Sequence, residues 1–423
     1  MRARRHVRSR GGIFLAAAAA VAAMVGGVLL LTRPGRVAPT AAVAPASTTP
    51  PGSTPSAASS STPAQAVTPA PVPTVDGLPA VQYSPSNLPP PWPGPLPYPV
   101  LIADRGNNRM LLVSPTHQIL WQYPPKGGLP AGVQFGSDDD AFFTPGGHQI
   151  ITNEEHQGTV TVVNMYTSLQ TWTFGTYGQE GYGNHHMDYP DDAYRLPNGT
   201  TIVADIRNCR ELFISPTEQI IKVWGLRQAG ICVSHPAQNL LGSPNGDTPQ
   251  PNGDILMSLI DGNRIALMSP QEKVIWNVRA PDIYQGYVSD AQLLPDGNVL
   301  VADYNQPGKI IIFNPQTLKV VWLYDVTSGP GELNHPSLAQ QLPNGNIMLN
   351  DDYNDRVIVI DPQTDQIVWQ YGHTGQPGTA AGFLNTPDGF DVDLFRNWLG
   401  WLRQQAPAPS GASAAGASGT LSG

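Results

Sequence analysis

The sequence predicts an all-β protein made of repeated units of short strands, and three observations support this prediction. First, 44 Pro and 43 Gly among 423 residues argue against a mainly helical chain, because a helix interior tolerates these two residues least. Second, tryptophans recur at a nearly constant spacing. Third, one turn sequence precedes several of the apolar runs. With 40% apolar residues and nine Trp, the chain has enough material for a packed core.

Six tryptophans divide the middle of the chain into similar copies, separated by 51, 52, 52, 46 and 47 residues. Most of them end an apolar run, as Val274 and Ile275 do before the fourth. The six are Trp121, Trp172, Trp224, Trp276, Trp322 and Trp369. A fixed period of this length indicates a repeat architecture.

Each copy contains signals for four short strands. A Leu-Pro-Asn/Asp-Gly turn begins at Leu196, Leu294 and Leu342. Pro pre-sets the turn and Asn/Asp-Gly supplies positive φ, so the turn predicts a hairpin between two strands. A polar turn, a third strand and the Trp strand follow. Four strands in each of six copies predict a six-bladed β-propeller over residues 98–395.

The two ends of the repeat region complement each other. The first copy begins directly at a strand, residues 99–102, and lacks its innermost strand. After the sixth copy, residues 384–391 align with residues 333–340, which lead into the innermost strand of copy six. We therefore expect a C-terminal strand to complete blade one and close the ring, which removes free sheet edges.

The N-terminal region predicts a membrane-targeting segment followed by a spacer. Residues 1–10 form a basic tail with five Arg, and the uncharged stretch 11–32 is long enough for a single transmembrane helix. The positive flank should stay in the cytoplasm and place the propeller outside, at the cell membrane. A cleaved signal peptide is the alternative. Residues 33–97 predict a Pro-rich disordered stalk, and residues 396–423 a short amphipathic segment and a disordered tail.

Charge limits the partners of this chain. Residues 1–36 hold seven Arg and no acid, so the remainder carries 16 basic against 32 acidic residues. This acidic body argues against nucleic acid as a partner. The expected partners are the membrane, through one N-terminal helix, and a protein, glycan or small-molecule ligand. We expect a monomer.

Three short segments resemble known propeller repeats. Ala-Asp-Arg-Gly-Asn-Asn-Arg at residues 103–109 resembles an NHL repeat, and residues 361–369 resemble the tryptophan-docking repeat of quinoprotein-type propellers. Residues 290–298 are similar to the inner strands of arylsulfotransferase-like propellers. The resemblance covers about residues 98–395 and implies architecture more than chemistry.

The arylsulfotransferase resemblance implies a histidine nucleophile in the channel, with further His and Arg holding the sulfuryl oxygens. His335 is the candidate nucleophile, because it precedes a Pro at the entry to an inner strand. The candidate assisting residues are His186, His235, Arg207 and Arg210. The alternative is that His335 has a structural, hydrogen-bonded role.

The loops that should meet at one face of the ring suggest a ligand-binding surface. An Asp is followed five residues later by an Arg in three copies, either as a ring of charges at the channel or as pairs that brace each hairpin. The predicted ligand-binding residues are Asp104, Arg109, Asp192, Asp290, Asp303, Tyr304, Asp351 and Arg356.

Acidic residues cluster at the entries of the inner strands, as in Asp138-Asp139-Asp140 and Asp191-Asp192. Convergent carboxylates are calcium ligands, so Ca²⁺ is the candidate cofactor. Its candidate ligands are Asp140, Asp192, Asp290 and Asp388. The alternative is that separate carboxylates cap the strand ends.

The chain has two cysteines, Cys209 and Cys232, in loops that should share a face. A disulfide is the favoured interpretation for an exported domain, and a metal or catalytic thiol is the alternative.

Two functional hypotheses follow. The first is a membrane-anchored, extracytoplasmic propeller that acts as a binding or scaffolding module. The second is an arylsulfotransferase-like or other transferase or hydrolase with its site at the channel mouth. The enzyme requires His and Arg side chains that converge in one pocket, whereas the binder requires only a concave face.

Overall fold

The computed structural model describes most of the predicted propeller region. The described residues are 88–226, 232–281 and 287–394, together with two short paired strands, β1 (Thr74–Val75) and β2 (Leu78–Pro79).

Several predicted segments lie outside the described residues. These are the basic tail 1–10, the membrane span 11–32, most of the stalk and the C-terminal segment 396–423. In the part of the chain that the structure describes, no helix is long and apolar enough to cross a membrane.

Six antiparallel sheets of four strands, the blades, make up the fold. In blades 2–6 the strands follow one another outwards from a central channel, whereas blade 1 takes its innermost strand from the C-terminal end. Blade 1 contains β28 (Phe390–Val392), β3 (Val100–Asp104), β4 (Arg109–Val113) and β5 (Ile119–Tyr123). Blade 2 contains β6 (Asp138–Phe143), β7 (Gln149–Glu154), β8 (Thr159–Asn164) and β9 (Leu169–Phe174). Blade 3 contains β10 (Pro190–Arg195), β11 (Thr201–Asp205), β12 (Arg210–Ile214) and β13 (Ile220–Trp224).

The remaining blades repeat this order. A small ribbon of β14 (Ser234–His235) and β15 (Leu240–Leu241) lies in the loop between blades 3 and 4. Blade 4 contains β16 (Pro244–Pro249), β17 (Ile255–Leu259), β18 (Arg264–Met268) and β19 (Val274–Arg279). Blade 5 contains β20 (Tyr287–Leu293), β21 (Val299–Tyr304), β22 (Lys309–Phe313) and β23 (Val320–Tyr324). Blade 6 contains β24 (Ala339–Gln341), β25 (Ile347–Asp351), β26 (Arg356–Asp361) and β27 (Gln366–Gly372). The chain is therefore an all-β, six-bladed propeller, as the sequence predicts.

The C-terminal strand closes the ring. β28 pairs antiparallel with β3, with Phe390 opposite Ile102 and Val392 opposite Val100. Phe390 is completely buried. Because β28 fills the inner position of blade 1, the first strand of the repeat has no free edge on the channel side.

The repeated tryptophans explain the period, because several of them join a blade to its successor. The indole N–H of Trp121 in blade 1 donates to the Met165 carbonyl of blade 2 at 3.0 Å. Trp369 in blade 6 donates to the Pro115 carbonyl of blade 1 at the same distance. The core accordingly lies between the blades, where apolar side chains of adjacent sheets pack together.

The folded part begins earlier than the predicted boundary at residue 98. Leu96 is buried in the core, and the carbonyl of Pro95 accepts 3.0 Å hydrogen bonds from the side-chain amides of Asn344 and Asn346 in blade 6. The Tyr98 hydroxyl donates to the Pro89 carbonyl. The last residues of the predicted stalk, from residue 88 on, thus contact the propeller although their composition is Pro-rich.

Candidate functional site

A β-bulge recurs at the channel end of four inner strands. In blade 2, Asp138 pairs with Glu154 and Ala141 pairs with Thr152. Residues 139 and 140 of β6 therefore lie opposite the single residue 153 of β7. The equivalent residues are 191 and 192 in blade 3, 245 and 246 in blade 4, and 289 and 290 in blade 5. All eight residues line one cavity. A bulge changes the direction of side chains along a strand, which explains how two consecutive side chains reach the channel.

This cavity, the channel mouth, has a volume of about 170 Å³ and is strongly acidic. Among the described residues, its lining contains seven carboxylates and one guanidinium, that of Arg105. Each of the seven acidic residues is less than one-tenth exposed. They are Asp139, Asp140, Glu155, Asp191, Asp192, Asp290 and Asp388.

Arg105, at the end of β3, neutralises one part of the mouth. Its guanidinium forms ion pairs with Asp139 at 2.8 Å, with Asp388 at 2.5 Å, and with Glu155. Its Nη2 also lies 3.1 Å from Nε2 of His156. Burial and the neighbouring arginine lower the pKa of His156, so this ring is neutral at pH 7. Three carboxylates from two blades thus share one internal counter-ion.

A second carboxylate group, the aspartate trio, consists of Asp140, Asp191 and Asp192. One oxygen of each lies within 4.8 Å of the others. Burial, and then the charges of Asp192 and Asp191, raise the pKa of Asp140 well above its ordinary range. Burial also raises the pKa of Asp191 to about 7. Like charges held this closely require a proton or a cation between them.

The aspartate trio has fewer ion-pair and hydrogen-bond partners than the carboxylates around Arg105 have. Asp191 accepts from the Asp192 backbone N–H at 3.0 Å and from the Asn245 amide. Asp192 accepts a long, 3.4 Å contact from the Asp247 N–H. For the Asp140 carboxylate, the polar partners in the described part of the chain are the carboxyl groups of Asp191 and Asp192. No described cation forms an ion pair with any of the three.

Two glycines make room for these carboxylates. A Cβ on Gly389 of blade 1 would collide with Oδ1 of Asp140, and a Cβ on Gly246 of blade 4 would collide with Oδ1 of Asp290. Gly246 occupies the bulge position that holds Asp140 and Asp192 in blades 2 and 3. Glycine at these two positions therefore leaves the space that the carboxylates of Asp140 and Asp290 occupy.

An aromatic arc covers the side of the mouth formed by blades 5 and 6. The ring of Tyr304 lies 5.0 Å from that of Tyr287 and 4.8 Å from that of His335, measured between centroids. Tyr353 packs 4.7 Å from His335. All three tyrosines line the cavity, so the mouth has one aromatic side and one charged side.

The predicted catalytic histidines do not meet. His335 contacts the side chain of Asn334 and the aromatic arc, and burial lowers its pKa. His186 lies in the loop between blades 2 and 3, where it pairs with Gly183, and His235 is exposed in β14. None of the three lines the cavity.

The two arginines predicted to assist also bind other side chains. Arg207 stacks on the Tyr189 ring at 3.5 Å and faces Asp188 and Glu180 at 3.5 and 3.9 Å. Arg210 is buried and donates to Asp205 at 2.7 Å. The arrangement that sulfuryl transfer would need, with His and Arg in one pocket, is not formed by these residues.

The repeated Asp-Arg pairs brace the blades. In blade 3, Arg210 bonds Asp205 and the His186 carbonyl, and Asp205 accepts from the Asp188 N–H at 2.8 Å. Each pair thus ties a hairpin to the preceding interblade loop. Asp104 with Arg109, and Asp351 with Arg356, follow the same pattern.

Of the residues predicted for the ligand-binding face, Asp192, Asp290 and Tyr304 line the cavity. Asp303 is completely buried and, like the bracing pairs that contain Asp104, Arg109, Asp351 and Arg356, lies outside the lining. The four residues of the bracing pairs are therefore placed in the framework, because their polar groups hold loops instead of facing the mouth.

The four predicted calcium ligands, Asp140, Asp192, Asp290 and Asp388, do line one cavity. Asp388, however, is paired with Arg105. The sequence pattern indicated no role for Arg105 or Glu155. These two residues occupy the same position in blades 1 and 2, directly after the second strand. Alignment of that position across blades was the signal that could have found them.

Cys209 and Cys232 are joined by a disulfide, with their Cα atoms 5.3 Å apart. Cys209 follows a short 3₁₀ turn in blade 3, and Cys232 lies in the following interblade loop. The bond fixes that loop to the rim beside Arg207.

A separate acidic pair lies behind the cavity, between blades 3 and 4. Glu211 in β12 and Asp247 in β16 are completely buried, and each carboxyl group affects the pKa of the other. Burial raises the pKa of Glu211 to about 8 and also raises that of Asp247. The pair therefore holds a proton at neutral pH.

Glu211→Gln is expected to stabilise the propeller at pH 9 and to change little at pH 5. Because the folded pKa of Glu211 lies above its usual value of 4.5, its contribution is complete below pH 4.5 and is lost as pH rises through 8. The glutamine amide donates to Asp247 at every pH. Urea titrations should show a gain of about 1–3 kcal/mol at pH 9. Glu180→Gln, at a partly exposed position, is the control, and an unchanged pH profile would count against the pair.

Comparison with known proteins assigns no function to this chain. No family model matches the chain, and no curated protein sequence matches it significantly. A protein of unknown function from Bacteroides caccae shares 16% identity over 70% of this chain and 98% of its own, with a TM-score of 0.49. Kuenenia stuttgartiensis hydrazine synthase shares 13% over 71% and 91% of the two chains, with a TM-score of 0.46. Virginiamycin B lyase from Staphylococcus aureus shares 13% over 58% and 71%, with a TM-score of 0.40. At these identities the similarity concerns the fold alone, and the NHL, quinoprotein and arylsulfotransferase resemblances stay predictions.

Proposed function

We propose that this protein is a membrane-anchored, extracytoplasmic binding module whose ligand is positively charged and binds at the channel mouth. One observation carries the proposal: among the described residues, seven buried carboxylates face a single guanidinium in the cavity. Buried charges are expensive unless they are paired. A cation from outside would supply the missing charge, so the mouth favours cations over neutral or anionic molecules.

The same charge distribution disfavours sulfuryl transfer. A sulfuryl group is anionic and needs positive charge around its oxygens. Arg105 already pairs with three carboxylates, and Arg210 is held by Asp205. An aryl sulfate in this mouth would meet uncompensated aspartates, so binding is the better-supported function.

The anchoring part of the proposal rests on the sequence. Five Arg in residues 1–10 precede the uncharged stretch 11–32. With the basic end in the cytoplasm, the propeller lies outside the membrane. There it can sample extracellular cations.

A thermal-shift experiment on the full chain in detergent tests the proposed function. A ligand that binds the folded state raises the melting temperature. We expect CaCl₂, MgCl₂ or spermidine to raise it by several degrees beyond NaCl of equal ionic strength, and an aryl sulfate to leave it unchanged. A shift with the aryl sulfate and none with any cation would overturn the proposal.

A further inference from the structure

The two clusters of carboxylates at the mouth differ in whether a basic residue forms ion pairs with them. The carboxylates of Asp139, Glu155 and Asp388 surround the guanidinium of Arg105. The aspartate trio has a comparable density of negative charge but no ion pair with any described basic residue. Arg105 thus forms ion pairs with one group, whereas in the trio its charge acts on Asp191 without an ion pair.

Asp140 provides an independent observation. It is 5% exposed, it lines the cavity, and its carboxylate accepts no hydrogen bond from a described amide, hydroxyl or cation. Its polar neighbours are the carboxyl groups of Asp191 and Asp192. Gly389 leaves the space that its Oδ1 occupies. A buried carboxylate that lines a cavity and accepts no hydrogen bond from a described donor is suited to bind a cation there.

We propose that Asp140, Asp191 and Asp192 bind one divalent metal ion of the calcium type. The inference deepens the proposed function and rests on it. The donors are carboxylate oxygens from two bulged strands, with no Cys or His, which is the hard ligand set that Ca²⁺ and Mg²⁺ prefer.

Calcium fits this site better than magnesium. Three aspartates leave several of its six to eight coordination positions for water or for a ligand that enters through the mouth. Ca²⁺ tolerates irregular geometry, whereas Mg²⁺ requires a nearly ideal octahedron. Asp290 lies next to the trio, where it interacts with Asp192, but it already accepts from the Ala291 N–H at 2.6 Å and the Gln292 amide at 3.1 Å. Asp290 therefore lies beside the proposed ion and can accept a hydrogen bond from a water molecule that the ion binds.

Terbium luminescence on the full chain tests the site. Tb³⁺ replaces Ca²⁺ at oxygen sites, and Tyr189 and Tyr287 line the cavity close enough to sensitise it. We expect saturable emission from the wild type that Ca²⁺ removes, with Mg²⁺ needed at higher concentration. Asp140→Asn should weaken binding by about tenfold or more. The control Asp296→Asn removes a charge from the turn after β20 and should bind as the wild type does.

Folding of the variant is checked in the same samples. Asp140→Asn removes a repelling charge, so its melting temperature without metal should equal or exceed that of the wild type; a large drop would move the test to Asp192→Asn. Equal Tb³⁺ affinity in the wild type and both variants overturns the site. Stabilisation by spermidine without Tb³⁺ or Ca²⁺ binding overturns the metal site and keeps the proposed function. No response to any cation overturns both.

Discussion

A chain that ends at residue 385 is expected to lose the cooperative unfolding transition of the propeller. The truncation removes β28, which pairs with β3 along the channel. Burial of Phe390 and Val392 contributes about 1.5–3 kcal/mol each. The truncation also removes Asp388, a partner of Arg105, and Asp391, which accepts from the Phe143 N–H at 2.9 Å. These losses together are comparable with the whole stability of a typical domain, about 5–15 kcal/mol.

Urea titration followed by tryptophan fluorescence measures this effect. A chain that ends at residue 395 keeps β28 and is the matched control, which should unfold as the full chain does. If the chain ending at residue 385 showed a wild-type midpoint and slope, closure by the C-terminal strand would not be what holds blade 1 in place.

Arg105→Met is expected to destabilise the protein by about 3–5 kcal/mol at neutral pH and low metal concentration. The substitution leaves Asp139, Glu155 and Asp388 buried without their counter-ion. Burial already raises the pKa of Asp139 and Glu155, and without the guanidinium their folded-state pKa lies further above the unfolded value. Stability of the variant should therefore recover as pH falls and they take up protons.

Millimolar Ca²⁺ should also rescue the Arg105→Met variant, because Asp139, Glu155 and Asp191 each place an oxygen within 4.8 Å of the others. Thermal unfolding at pH 5 and pH 7.5, with and without Ca²⁺, measures both effects. Arg207→Met is the control, since its guanidinium is 49% exposed and its acidic partners are 3.5 Å or more away. A melting temperature as little changed as that of the control would mean that Arg105 does not neutralise the mouth.

The repeat was predictable from the sequence because each blade needs the same local chemistry. The Leu-Pro-Asn/Asp-Gly turns carry glycines in the positive-φ region, as at Gly199 (83°) and Gly345 (88°). The tryptophans recur because indoles such as those of Trp121 and Trp369 bond to the next blade. Features that repeat in every copy leave a period, and a period is visible without a structure.

The site was only partly predictable, because it depends on what differs between the copies. The clustered aspartates at the strand entries suggested Asp140 and Asp192 as joint metal ligands, and one oxygen of each lies within 4.8 Å of the other. The bulges that also direct Asp139 and Asp191 to the cavity have no single residue signature. Arg105 belongs to a segment that resembles a repeat motif, and its three acidic partners lie 34, 50 and 283 residues away along the chain.

The repeated Asp-Arg pairs were visible in the sequence, but their role was not predictable from it. Their recurrence left open whether they surround a ligand or brace a hairpin. The structure decides this for Asp205 and Arg210, which are buried and bond loop backbone at Asp188 and His186. The recurring Asp-Arg pairs therefore serve the framework, whereas Arg105 and the aspartate trio form the candidate site.

Calcium stoichiometry tests the central claim most directly. Equilibrium dialysis of the full chain against Ca²⁺ should give one bound ion per chain for the wild type and for Asp296→Asn, and an affinity lower by about tenfold or more for Asp140→Asn. Equal calcium binding by the wild type and Asp140→Asn, or no calcium bound by the folded wild type, would contradict a metal site at the aspartate trio.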